Sequence, residues 1–373
     1  VVSVAKANVT PARSAEQVRH LLDLPEVAAL VQRLDSLRWT GRPGYGTRAL
    51  VGMCLTKSVY CIPVWTRVVA LVRDHAALRD VIGCIPSEAA CYRFTRRLRE
   101  HPEALPGALD GLVARLAASF PGYGDMLAID GSDLPAYANG QKYVSRGGAL
   151  RKRYSDPDAS WGHRSSIGTR SGGGFYGYKV HAVIDTATDL PVAWTVRTAR
   201  DSELPEVATL LDLALARGVE PSIAALDKGY DAQGVYAELL GRGIRPVIAL
   251  KDETAKIGRQ KPPTCGHGEW TFAGADDKRR ATKWRCPSGE CRPKSVWRPY
   301  SRLHPPIPHG TARHRALYRK RTAVERTFGR LKNEWAMLPL RVRGLDRVRL
   351  HVDLTMLATL GSALLRAEVA VAA

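Results

Sequence analysis

Four side chains between residues 318 and 332 give the first chemical signal: Tyr318, Arg321, Glu325 and Lys332, at offsets 0, 3, 7 and 14. On a helix turning about 100° per residue they fall near 0°, −60°, −20° and −40°, a stripe about 60° wide. One face then carries a phenol, two cations and a carboxylate. Such a face either grips an anion beside an acidic group or is a salt-bridged solvent face made of the same residue types. Two more carboxylates close apolar runs: Asp130 follows Ala128-Ile129 and precedes Gly131-Ser132, and Asp227 follows Ala224-Ala225-Leu226 and precedes Lys228-Gly229-Tyr230. In open α/β sheets ligands gather beyond the carboxyl ends of strands, so both aspartates stand where chemistry is usual. Either alone is equally a turn residue.

Other side chains leave their alternatives open. Cys265-x-His267 with Cys286-x4-Cys291 could form a zinc ribbon, although the first pair is tighter than the usual spacing; otherwise these are reduced or partly buried groups. Trp270, Trp284 and Trp297, nearly evenly spaced, are either core or, for one of them, a platform for a base extruded beside a cleavage site. Arg93, Arg96 and Arg97 share a helix face that either follows a DNA groove or backbone or is simply solvated. The stretch 142–170, with Arg146, Arg151, Lys152, Arg153 and Arg164, reads as a basic loop suited to a DNA backbone or to flexibility. Within it Ser155-Asp156-Pro157-Asp158 is a turn without a chemical role, and His181 is expected to be a satisfied structural histidine.

The whole-chain charge favours the anion-binding readings. Lys plus Arg number 56 against 36 Asp plus Glu, a net +20 that points to a polyanionic partner, nucleic acid first. With 45 % apolar and 25 % charged residues the chain is globular rather than disordered, collagen-like or a disulfide scaffold. Seven scattered cysteines, an odd number, suit reduced thiols. The longest uncharged apolar run, 354–365, is short of the roughly 20 residues of a membrane span, and residues 1–9 lack a secretory h-region, so a cytoplasmic location is expected.

The elements that must position these side chains follow from periodicity. Residues 1–118 read as a helical domain, a candidate for binding DNA ends; within it a short helix over 76–82, a turn at 83–86 and a helix capped by Ser87 and running to about Glu100 make a helix-turn-helix. Strands are expected at 126–130, 178–185, 191–197, 222–227 and 246–250, with helices from Ser202 to Arg217 and from Ala232 to Leu240: a mixed α/β order with a partly parallel sheet. Residues 251–311 form a β-rich insertion. One long helix from about Arg313 to Glu334 and an apolar one over 345–367 complete a core made of 119–250 and 312–373.

The pattern Y-x2-R-x3-E-x6-K, with Asp-Gly-Ser after one strand and Asp-Lys-Gly-Tyr-Asp after another, closely resembles the YREK-signature DDE transposases of bacterial insertion sequences over roughly residues 125–350. The resemblance implies a ribonuclease-H-like mixed sheet flanked by helices, preceded by a helical domain and interrupted by a β-rich insertion. It also implies Asp130, Asp227 and Glu325 as a metal-binding catalytic triad, and Tyr318, Arg321 and Lys332 as contacts to the transposon end. Two Mg²⁺ ions, replaceable by Mn²⁺, are the expected cofactors, since phosphodiester chemistry by two ions about 3.5–4 Å apart needs a few hard carboxylates. Double-stranded DNA is the expected partner, bound by a homodimer because two ends are paired. The competing readings are a metal-dependent nuclease without strand transfer and a catalytically silent DNA-binding protein.

Overall fold

The computed structural model describes residues 11–37, 44–141, 148, 150, 153–164, 171–251 and 262–372. Helices come first: α1 (Ala15–Asp23), α2 (Pro25–Ser36), α3 (Thr47–Val59), α4 (Trp65–Asp74), α5 (Ala76–Ile82), α6 (Glu88–Glu100) and α7 (Ala104–Ser119). Their ends follow local chemistry. The Ser14 and Ser87 hydroxyls accept the Gln17 and Ala90 amides as N-caps, and Gly83, at φ +75°, ends α5 in the left-handed conformation that glycine adopts without a Cβ clash. The helix-turn-helix of α5 and α6 falls where the sequence puts it.

β1 (Met126–Pro135), β2 (Ser160–Arg164), β3 (Gly173–Asp185), β4 (Leu190–Thr198), β5 (Ile223–Leu226) and β6 (Arg245–Ile248) form one mixed sheet, flanked by α8 (Glu206–Ala216) and α9 (Gln233–Gly241). β3 is antiparallel to β1, β2 and β4, whereas β1, β5 and β6 run parallel. Side chains on β5 alternate as a two-sided sheet requires: Ala224 and Leu226 enter the main core, and Ala225 joins Met126, Val247 and Ile307 on the other face.

Several boundaries differ from expectation: β3 starts at Gly173 rather than 178, and β2 lies within the stretch 142–170 expected as a loop, because the two pair antiparallel from Ser160 opposite Gly177 to Arg164 opposite Gly173. β1 continues past Asp130 to Pro135 because β3 is long enough to pair with it from Asp185 to Gly177. α8 begins at Glu206 rather than Ser202, directly after Pro205, whose ring fixes φ for a helix start. The single helix expected over 313–334 is two, α10 (Ala312–Arg319) and α11 (Thr322–Asn333). The Thr322 hydroxyl donates to the Arg319 carbonyl, and the Ala323 amide bonds Lys320 three residues back instead of that carbonyl, which tightens the junction.

α12 (Leu345–Ala372) is long and apolar enough to cross a membrane by length and composition. Its apolar surface is instead taken up by α1, α3, α7 and β4, the packing of a core helix. Counting only uncharged residues missed its length, since the helix runs on through Arg349 and Asp353. One continuous apolar core therefore joins the N-terminal helices to the sheet, from Leu21 and Leu112 through Met356 and Leu360 to Leu127 and Ile129. Each fully buried Leu or Ile stabilises by about 1.5–3 kcal/mol. The insertion holds a hairpin, β7 (Thr264–Cys265) with β8 (Gly268–Glu269), and a three-stranded sheet of β9 (Thr271–Asp276), β10 (Ala281–Arg285) and β11 (Ser295–Pro299). The Arg302 guanidinium, forked onto the fully buried Asp231 carboxylate, ties this part to the central sheet.

Candidate active site

Asp130 lies mid-strand, yet at the edge of the parallel part of the sheet. β5 stops at Leu226, opposite Ile129, so Asp227 is the next position on the neighbouring strand, about 4.8 Å across the sheet. Asp130 Oδ1 accepts the Gly131 amide at 2.8 Å, and Asp227 Oδ1 accepts the Gly229 amide at 2.6 Å to cap the 3₁₀ turn Lys228–Tyr230. Burial, and then the charge of Asp227, push the Asp130 carboxyl up to about 7 against the opposing pull of the Gly131 amide and Arg321.

The third carboxylate arrives on α11. Arg321, at the α10–α11 junction, points one guanidinium nitrogen at Glu325 Oε1 (2.6 Å) and another at Asp130 Oδ2 (3.4 Å). One cation thus bridges helix and strand. The Tyr318 ring lies under the same guanidinium at 5.7 Å, and burial raises its phenol above the ordinary value. Lys332 donates to Ser132 Oγ and the Asp133 carbonyl, both at 2.7 Å, so the far end of α11 is held on β1 just beyond Asp130. The expected stripe thus comes together around Asp130 even though its helix is broken. The three carboxylates are not drawn into one tight ligand set: among the described residues the group with ligand atoms all within 4.8 Å of one another is Cys265, His267, Cys286 and Cys291.

Several residues that matter here were invisible in the sequence. Asp189, at φ +57° in the β3–β4 turn, accepts Arg326 at 2.6 and 2.8 Å and Arg330 at 3.1 Å, while its carbonyl accepts the Thr327 hydroxyl at 2.8 Å. The residue after Glu325 is thereby clamped to the sheet. The i, i+4 spacing of Arg326 and Arg330 was the available signal, and nothing local named their partner. Glu203, paired with Lys179 at 2.6 Å, adds negative charge near Asp130 and Tyr230. His181 is fully buried with neither ring nitrogen hydrogen-bonded, contrary to the expected satisfied histidine, and burial lowers its pKa.

The remaining candidates separate. Arg97 donates to the Leu34 carbonyl at the end of α2 and so serves the fold, Arg96 faces Glu100 at 3.7 Å, and Arg93 stands exposed at a cavity that Arg97 also lines but Arg96 does not. The three do not act as one DNA-facing set, because the helix C-terminus beside them claims Arg97. Trp270 and Trp284 are buried in the insertion's own core and are not base platforms; Trp297 is 37 % exposed, with Arg279 and Lys283 over its ring at 5.0 and 5.4 Å. Arg146, Arg151 and Lys152 lie outside the described residues, while Arg164 meets Asp133 at 3.6 Å. The turn holding Asp156 and Asp158 caps a helix, a role its sequence did not reveal, since the two carboxylates accept the Gly344 and Leu345 amides at the start of α12.

Arg96, Arg99, Arg341, Arg343 and Arg347 line one cavity of about 400 Å³ between α6 and α12, with Arg341 and Arg343 over the Tyr137 ring. Residues 124–360 match the family described as the transposase DDE domain. Among solved structures the chain is similar to the cryo-EM structure of the piggyBac transposase synaptic complex with hairpin DNA, at 12 % identity and a TM-score of 0.44, over 95 % of this chain and 75 % of that one. No curated protein matches the chain.

Proposed function

The chain belongs to the family of transposase DDE domains, and from that premise we propose that it cleaves phosphodiester bonds at the ends of a bacterial insertion sequence and joins the freed 3′-hydroxyls to target DNA. The observation that carries this reading is the Arg321 bridge between Asp130 and Glu325, with Asp227 in the adjoining strand position. Carboxylates from one strand and a helix share one guanidinium, and burial together with the charge of the adjoining Asp227 pushes the Asp130 carboxyl up to about 7. Hard oxygen donors in that condition fit Mg²⁺ or Mn²⁺, which Asp130, Asp227 and Glu325 would hold. Two such ions supply Lewis acidity for the attacking hydroxyl and the leaving oxygen.

The chain's own residues then hold and orient DNA. Arg321, engaged with carboxylates here, has the planar fork that binds a phosphate bidentately, and Tyr318 under it offers a phenol donor at the same place. Lys332 fixes the backbone beyond Asp130 and carries a point charge to the phosphate path. The arginine-lined cavity between α6 and α12 suits the duplex farther from the cut, and pairing of two ends calls for two copies of the chain. The strand order β4-β3-β1-β5-β6, antiparallel then parallel, supports the ribonuclease-H-like reading. The test is incubation of the full chain with a duplex carrying the element's terminal repeat, in Mg²⁺, in Mn²⁺ and in EDTA. Cleavage leaving a 3′-hydroxyl in either metal and none in EDTA is expected; intact duplex in both metals overturns the proposal.

A further inference from the structure

We propose that the β-rich insertion carries a structural zinc site made of Cys265, His267, Cys286 and Cys291. Their ligand atoms all lie within 4.8 Å of one another. Cys265 Sγ stands 3.8 Å from Cys286 Sγ, and His267 Nδ1 stands 3.9, 3.8 and 3.5 Å from the sulfurs of Cys265, Cys286 and Cys291. Tetrahedral Zn²⁺ with Zn–S of about 2.3 Å and Zn–N of about 2.0–2.1 Å places sulfurs about 3.8 Å apart and sulfur about 3.5 Å from nitrogen. The observed spacings are those of the coordination sphere. They are also far beyond the roughly 2.05 Å of a disulfide.

The one-residue gap between Cys265 and His267 is not too tight, because it spans the β7–β8 turn, where Gly268 at φ +112° folds the chain back. Cys286 follows β10, and Cys291 closes the loop that comes after it. The second face of the imidazole is already oriented: His267 Nε2 meets Glu290 Oε2 at 2.9 Å, the carboxylate–histidine pairing that fixes Nδ1 as the free ligand. Three thiolates and an imidazole select a soft or borderline ion over Mg²⁺, so this site is chemically distinct from the carboxylate cluster.

The fold has a use for such an ion. Among the described residues the insertion's own core cluster is small, with Trp270, Trp284 and Cys286 buried in it, and modules of that size need a staple to hold their shape. Zinc would pin the hairpin to the three-stranded sheet that presents Trp297.

The test uses the full chain, expressed with zinc supplementation and purified under reducing conditions without chelator. Elemental analysis should give about one zinc per chain, released by a thiol-reactive mercurial, and cobalt(II) exchanged into the wild type should give the thiolate charge-transfer and tetrahedral visible bands. The double substitution Cys286→Ser with Cys291→Ser should lose the metal, whereas Cys84→Ser should keep it. Zinc below about 0.2 per chain in the wild type with no tetrahedral cobalt spectrum, or full zinc retained by the double variant, overturns the proposal.

Discussion

Asp189→Asn isolates the charge of the clamp that positions Glu325. Asparagine tolerates the left-handed backbone at this position, so the turn survives while the carboxylate is removed. Three charge-assisted contacts are lost or weakened, each worth about 1.5–3 kcal/mol when desolvated. Arg326 is 48 % exposed and re-solvates, while Arg330, at 19 %, does so less. The net cost is then about 2–4 kcal/mol, somewhat below the roughly 3–5 kcal/mol of breaking a fully buried pair because Arg326 is half exposed. A double-mutant cycle with Arg326→Ala, read by denaturant unfolding, should give a coupling of about 1–2 kcal/mol. Because Arg326 follows Glu325, cleavage of an end duplex should fall about 10- to 100-fold, as misplacement by about 1 Å does, with DNA binding nearly unchanged. A coupling below about 0.5 kcal/mol, with parental cleavage, would refute the clamp.

Three further outcomes follow from the same structure. Burial pushes the Asp353 carboxyl up to about 6 although Trp194 Nε1 donates to it at 2.7 Å; a raised carboxyl costs the native state as pH rises from about 4 to 6, so Asp353→Asn should stabilise increasingly over that window and then level off at no more than about 3 kcal/mol, and a pH-independent difference in unfolding free energy counts against it. Gly131→Ala would put a methyl 2.9 Å from His181 Nδ1 and 3.5 Å from Glu203 Oε1, a cost of about 1–3 kcal/mol in denaturant unfolding; a variant as stable as the parent contradicts that contact. Arg343→Ala should weaken duplex binding and lower the slope of log affinity against log salt by about 1, and an unchanged slope would remove the arginine-lined cavity from the DNA path.

The parts of this architecture that were legible in the sequence are those written in local chemistry. Ser87, Gly83 and the apolar runs before Asp130 and Asp227 fix helix ends and strands through contacts a few residues long. The spacing of Tyr318, Arg321, Glu325 and Lys332 survived a broken helix because the 3₁₀ tightening at Thr322 shifts the chain by less than a turn. What stayed hidden depends on distant partners. Nothing near Asp189 announces Arg326, and Glu203 meets Lys179 only once β3 and the loop before α8 are packed. The evenly spaced tryptophans look equivalent, yet β10 turns Trp284 inward while Trp297, opposite Lys283 on β11, faces out. The convergence of Cys265 and His267 with Cys286 and Cys291 was hidden as well, because spacing rules presume a longer knuckle than this two-residue hairpin.

The claim that the three carboxylates do phosphodiester chemistry is tested most directly by Glu325→Gln. The substitution keeps size and a hydrogen-bonding oxygen toward Arg321 but removes the charge that would hold a divalent ion. Single-turnover cleavage of a terminal-repeat duplex in Mg²⁺ should drop by at least about 10³-fold while the duplex binds as before or more tightly. If Glu325→Gln nicks or joins ends at the parental rate, the stripe on α11 is a charged surface and the account given for this site is wrong.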